Sequence, residues 1–454
     1  MRKLCKNCSM YVCIKKIITN KIVKNFGWLT ADKIIRLLGG LLVGAWVARY
    51  LGPEKYGLIN FVSSFAGLFT SFSMLGIDNI VIRELASKKH NINEILGTAV
   101  RIRNTGSIVS AIISLSIAYL LYYENEPYFL WLLLIIVLGN IFQSFDVITL
   151  WYQSQIEAPI IVRNKLISYI FISVLKVVAV MFGSGILIFV SLGVLDSICG
   201  VLLLARYYSK HSGFKIDAWL YNPFFMKSFL REGWLLALSN FCIMIFMRID
   251  QVFLGSFLGN REVGIYAIVT LISDILYSIP MFVCSSTFPK LSAMYLDDRG
   301  NYEKYTQKMY ISMVICTYCI ITAIYLFSDK VVFLLYGQDF MEAADLVKIH
   351  VWSLLAVSVG CVRGNMTIIE HNIKVGTLGT MIASVFTTAL NYYLISYYGI
   401  YGAAYATVLG MMFNGYFTSM FHKSYWKYLK MQTSSILLLP VWKQLYHICA
   451  KFLK

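Results

Sequence analysis

The sequence predicts an all-α integral membrane protein with about 12 transmembrane helices, arranged as two six-helix bundles related by a pseudo-two-fold axis along the membrane normal. Three observations carry this. The chain has 454 residues, of which 58% are hydrophobic and only 14% charged, with a mean hydropathy of +0.68; soluble domains carry about 25% charge. Its apolar runs are about 20 residues long and lack strand-like alternation, so each spanning segment must satisfy its backbone groups as a helix. Finally, YLGPEKYG from Tyr50 returns as FLGNREVG from Phe257, and FGSGIL from Phe182 is echoed by YGIYGA from Tyr398. Two halves of six spans each start on the same side, which makes the repeat parallel.

Residues 1–27 read as a basic segment on the inner leaflet, with no cleavable leader expected. Cys5, Cys8 and Cys13 include one C-x-x-C but no second one and no nearby His pair, so free thiols are expected and no metal. The first span, 28–50, places Asp32, Lys33 and Arg36 ahead of an apolar core from Leu37 to Val47, and Asp32 and Arg36 are four apart, able to pair. Further spans are expected at 56–77, 100–122, 128–151, 162–182 and 184–206, closing an N-terminal bundle over 28–206. A basic cytoplasmic linker follows at 207–231. The second bundle, 232–421, has spans at 232–256, 263–288, 307–327, 346–369, 374–397 and 400–421. The tail 422–454 is basic, and its short apolar run before Pro440 suits the interface rather than a crossing.

The formal charge of +17 would suggest nucleic acid in a soluble protein, but its distribution gives another reading. With the N-terminus inside, 30 Lys and Arg fall in inner segments and 5 in outer ones. By the positive-inside rule both termini face the cytoplasm. No nucleic-acid partner is expected.

No soluble catalytic constellation emerges: there is no G-x-x-x-x-G-K-[ST], no H-E-x-x-H, and the six histidines are scattered. An enzyme is therefore not expected, nor a cofactor. What remains are ionisable groups within spans, which are costly in hydrocarbon unless paired or wet. Arg36, Lys176, Arg248 and Arg363 are the candidate substrate-binding cations. Asp32, Asp146, Asp196, Asp250 and Asp274 are candidates for ion coupling or sugar contacts. Lys176 and Arg363 have no acidic residue nearby on their own helices, so Asp146, Asp196 or Asp274 could be interhelical partners; the alternative is a solvated cationic cavity. Arg83 and Glu84 read as a pair anchoring the loop after the second span.

RYLGPEKYG after a charged first span, LGIDNIVIRELA after the second, RIDQVFLG with FLGNREVGIYA around the seventh, and YYGIYGAAYATVLG before the twelfth resemble the bacterial polysaccharide transporters that flip O-antigen and capsule repeat units. These belong to the multidrug, oligosaccharidyl-lipid and polysaccharide flippase superfamily. The resemblance covers essentially all twelve spans. It implies a flippase in the bacterial inner membrane that moves undecaprenyl-pyrophosphate-linked oligosaccharide from inner to outer leaflet, by alternating access through a basic cavity between two bundles. Membrane lipids, and a polysaccharide polymerase and chain-length regulator, are the partners to be expected. Two rivals share the superfamily: a drug or metabolite antiporter, expected to favour an acidic cavity, and a lipid II flippase, expected to carry additional spans.

Overall fold

A computed structural model describes residues 21–123, 126–421 and 423–439. Residues 1–20, with Cys5, Cys8 and Cys13, and residues 422 and 440–454 of the tail lie outside the described residues. Within them, every regular element is a helix: α1 (Lys21–Met74), α2 (Asp78–Ser87), α3 (Ile92–Tyr122), α4 (Pro127–Gln143), α5 (Val147–Ser154), α6 (Ala158–Met181) and α7 (Ile186–His211). Then come α8 (Pro223–Phe257), α9 (Asn260–Asp297), α10 (Arg299–Tyr336), α11 (Glu342–His350), α12 (Ser353–Ile369), α13 (Ile373–Gly415) and α14 (Trp426–Ile436). Ten stretches of the described residues are long and apolar enough to cross a membrane. Much of their apolar surface faces outward, as at Leu120, 81% exposed, and Tyr397, 79% exposed. This is a multi-pass membrane protein.

Two of the ten stretches, Gly27–Ser87 and Lys374–Met420, are 61 and 47 residues long. A helix of about 20 residues already crosses a bilayer. Each of the two is broken at a glycine whose backbone leaves the helical region: Gly52 in α1 (φ 73°, ψ 169°) and Gly399 in α13 (φ 58°, ψ −138°). Side chains rarely tolerate such positive φ, and Pro53 then supplies a preset first helical turn. Twelve crossings follow if both helices are counted twice at these glycines.

The chain divides into two compact units. Among the described residues, the first comprises those up to Tyr50 and Phe65–Phe241; the second comprises Leu51–Ser64 and those from Cys242 onward. These bounds differ from the sequence reading in two ways. The stretch 207–231, expected as a cytoplasmic linker, is partly helical: α7 runs on to His211, α8 begins at Pro223, and between them Leu220 N donates to the Asn93 carbonyl (3.1 Å) and Asn222 Nδ2 to Glu94 Oε2 (2.5 Å). In addition, Leu51–Ser64 packs with the second unit. There Gly57 and Gly264, equivalent positions of the two repeat motifs, meet face to face. A Cβ on Gly57 would lie 1.7 Å from the Asn260 carbonyl oxygen, and one on Gly264 2.0 Å from that of Pro53. Only glycine permits so close a backbone approach.

The first unit is cored by Ile77, just ahead of α2, with Val81, Leu96, Ile148, Leu204 and Phe229 from α2, α3, α5, α7 and α8. The second is cored by Leu291, Tyr310, Val314, Val359 and Val362 with Tyr428, so that α14 closes the base of α10 and α12. Two capping contacts help fix the helix starts: Asn93 N donates to the Asn91 side chain (3.0 Å) ahead of α3, and Asn301 N to Asp298 Oδ1 (3.0 Å) ahead of α10.

Candidate functional site

Four of the nine candidate residues gather around α6 in the first unit. Helical spacing sets Lys165, Ser168 and Tyr169 on one face. Lys165 Nζ donates to Asp146 Oδ2 at 2.7 Å, and Asp146 also accepts from Thr149 (2.5 Å). Asp146 can reach both because a short 3₁₀ turn, Ser144–Asp146, separates α4 from α5. Arg36 lies over the Tyr169 ring (5.0 Å to the centroid), donates to the Lys165 carbonyl (2.9 Å) and pairs with Asp32 (3.0 Å) and more loosely with Asp196 (3.9 Å). Ser168 fixes Asp196 by donating to Oδ1 at 2.9 Å. Asp146 and Asp196 are thus engaged by Lys165 and Arg36. Neither is the ion-pair partner of Lys176 or Arg363. Lys176, eleven residues beyond Lys165 on α6, makes no hydrogen bond or ion pair among the described residues.

Beside this network the first unit contains a cavity of about 490 Å³. Lys165 and Asp146 line one side of it, and Arg103 and Asp78 another, paired at 2.5 Å. Four carboxamides, Asn79, Gln143, Gln153 and Asn240, and the Thr149 side chain complete the polar lining. Met74, Ile82, Leu150 and Leu236 supply apolar patches. Arg103 is 6% exposed, and its Nε has no hydrogen-bond partner.

The sequence reading missed most of this cavity. Arg103 and Lys165 fall within the expected spans 100–122 and 162–182 but count there only toward the inner basic charge, not as site residues; both are helical, in α3 and α6. One signal was present: nothing between Asn91 and residue 100 breaks a helix, so α3 begins a full two turns before the expected span. The pairing of Asp78 with Arg103 had no signal, because no local spacing connects them.

In the second unit, Arg248, Asp250 and Asp274 line a cavity of about 30 Å³ together with Thr270, Tyr277 and His350. Asp250 accepts from Gln251 N (2.7 Å), and Ser273 bonds His350 Nδ1 (2.7 Å). Space of that size holds one or two waters, not a sugar. Arg363 is not part of this lining. It is 9% exposed and held by neutral oxygens: the Thr418 hydroxyl, the Ser419 hydroxyl (3.4 Å) and the Asn414 carbonyl (2.7 Å). Arg83 pairs with Glu84 as expected (3.1 Å), and also with Glu232 at the start of α8 (2.9 Å). Among the described residues no three His, Cys, Asp or Glu side chains stand together as a metal site.

Long kinked membrane helices in two units, with polar cavities inside an apolar exterior, define a fold of the transporter type. The chain is similar in fold to the lipid II flippase MurJ in an inward closed conformation, with a TM-score of 0.69 at 16% identity over 91% of this chain and 92% of that one. It is also similar to an inward-facing multidrug resistance MATE family transporter of the MOP superfamily, with a TM-score of 0.60 at 16% identity over 92% of this chain and 95% of that one. The family model described as polysaccharide biosynthesis protein matches residues 22–295, and the chain belongs to that family. Among its relatives, the capsular polysaccharide biosynthesis protein CapF of Staphylococcus aureus is 22% identical over 84% of this chain and 94% of CapF. The probable flippase AglR of Haloferax volcanii is 26% identical over 40% of this chain, a match that spans 39% of AglR.

Proposed function

We propose that this protein is a flippase for lipid-linked saccharides, carrying undecaprenyl-pyrophosphate-linked repeat units from the inner to the outer leaflet for O-antigen or capsule assembly. The observation that carries this reading is the polar cavity of about 490 Å³ inside a chain of apolar-faced helices. Sugars cannot cross hydrocarbon without losing their hydrogen bonds to water, and a cavity lined by amides and ion pairs replaces those bonds. The polyprenyl chain stays in lipid. Lys176 and Arg248, neither within ion-pair distance of an acid among the described residues although Asp196 and Asp250 act on them electrostatically, are our candidates for meeting the pyrophosphate, Arg248 bidentately. Twelve crossings with both termini cytoplasmic complete the proposal, on the strength of the basic-residue asymmetry.

Membership of the polysaccharide biosynthesis family, with a match over 94% of CapF, supports this reading over a drug antiporter. A lipid II flippase remains the second reading, favoured by the MurJ-like fold. The test is deletion of the gene. Loss of one surface polysaccharide, with its lipid-linked repeat unit accumulating on the inner leaflet, is the expected result. Normal surface polymer with arrested wall synthesis points to lipid II, and normal polymer with drug sensitivity to an antiporter.

A further inference from the structure

Resting on the flippase reading, we infer that the first unit's cavity recognises the uncharged, hydroxyl-rich sugars of the substrate and excludes its pyrophosphate. The charges in the cavity cancel. Each cation is already held by a carboxylate, Arg103 by Asp78 at 2.5 Å and Lys165 by Asp146 at 2.7 Å. A pyrophosphate bound there would have to displace one of these carboxylates and then sit beside it as a like charge. A sugar hydroxyl has no such conflict, because it donates to spare lone pairs of a paired carboxylate and accepts from spare N–H groups of a paired guanidinium. Arg103 offers one such group: its Nε is buried, lies in a lining side chain and has no partner.

The four carboxamides extend the argument. The side-chain amides of Asn79, Gln143, Gln153 and Asn240 make no hydrogen bonds among the described residues, yet all line the cavity. A carboxamide presents a donor and an acceptor side by side, and neighbouring hydroxyls on a sugar ring present the same pair in return. The apolar lining, Met74, Ile82, Leu150 and Leu236, suits the C–H faces of the rings. The volume lies within the range of roughly 300–1,000 Å³ common to small-molecule sites, enough for a short saccharide. By the same logic, an acidic sugar is disfavoured beside Asp78 and Asp146.

The test measures binding of three defined lipids to the full chain in lipid nanodiscs: undecaprenyl pyrophosphate, the same lipid carrying N-acetylglucosamine, and the same lipid carrying glucuronic acid. The neutral sugar should tighten binding by about tenfold over the bare lipid, the worth of one or two added hydrogen bonds. Glucuronic acid should add nothing. The combined Gln143→Ala and Gln153→Ala variant should lose the neutral-sugar increment while binding the bare lipid as wild type does. Asn79→Ala, at an exposed side chain, repeats the measurement independently. The inference is overturned if the neutral sugar adds no affinity, if glucuronic acid adds as much, or if the amide variants weaken the bare lipid. If none of the three lipids binds, the flippase reading itself fails.

Discussion

Arg363 is a buried cation whose hydrogen-bond partners carry no charge. Its guanidinium joins α12 to the end of α13 through the Asn414 carbonyl (2.7 Å) and the hydroxyls of Thr418 and Ser419. Arg363→Ala strands these acceptors and should cost about 1–3 kcal/mol, read as lower protein abundance and melting temperature. Neutralising Asp146, Asp196 or Asp274 should not rescue it, since none of them pairs with it. Lys176 contrasts with it. With no hydrogen bond or close ion pair to lose, and only the more distant charge of Asp196 acting on it, Lys176→Ala should leave abundance unchanged and act on transport alone. A third residue, Glu370, lies just beyond α12, where it accepts hydrogen bonds from Tyr302 (3.2 Å) and from Tyr428 of α14. Burial raises its carboxyl above the usual range, with Tyr302 offsetting part of the effect. A raised acid in the folded state binds its proton where the unfolded chain has released it. Its contribution to stability is therefore full below about 4.5 and is lost as pH rises through the raised value. Glu370→Gln should flatten that part of a melting-temperature profile against pH.

At the scale of elements, the helices were legible because the bilayer imposes a length and a polarity on each. Breaks were legible where composition marks them, as at Gly52 and Pro53. What the sequence could not give was the partner of each buried charge. Asp32 and Arg36 were readable as a pair because one helix turn joins them, whereas Lys165 with Asp146 and Arg103 with Asp78 are joined only by the packing of separate helices. Counting Arg103 and Lys165 only as inner charges at the ends of their spans hid the cavity, since the positive-inside rule weighs a basic residue near a helix end without asking whether it turns inward. The repeated motifs were visible as text, but their mutual contact was not. Gly57→Ala and Gly264→Ala should each force the backbones apart and cost about 1–3 kcal/mol. Because both enlarge the same contact, the double variant should cost much less than the sum of the two, which a double-mutant cycle of melting temperatures will read.

The whole molecule is threaded in a way that its two-unit division makes plain. Leu51–Ser64 emerges early, yet it belongs to the unit whose remaining residues start at Cys242, partway along α8. Phe61 and Val62, 2% and 0% exposed in the finished protein, are buried within that second unit. At about 5–20 residues per second, the ribosome delivers Cys242 roughly ten to forty seconds after Ser64. For that interval the first unit must hold a finished helix whose own neighbours have not been made, with only lipid or the insertion machinery to cover it. Two fragments cut between the halves would accordingly not be independent proteins, for the earlier one carries a piece of the later one's interior.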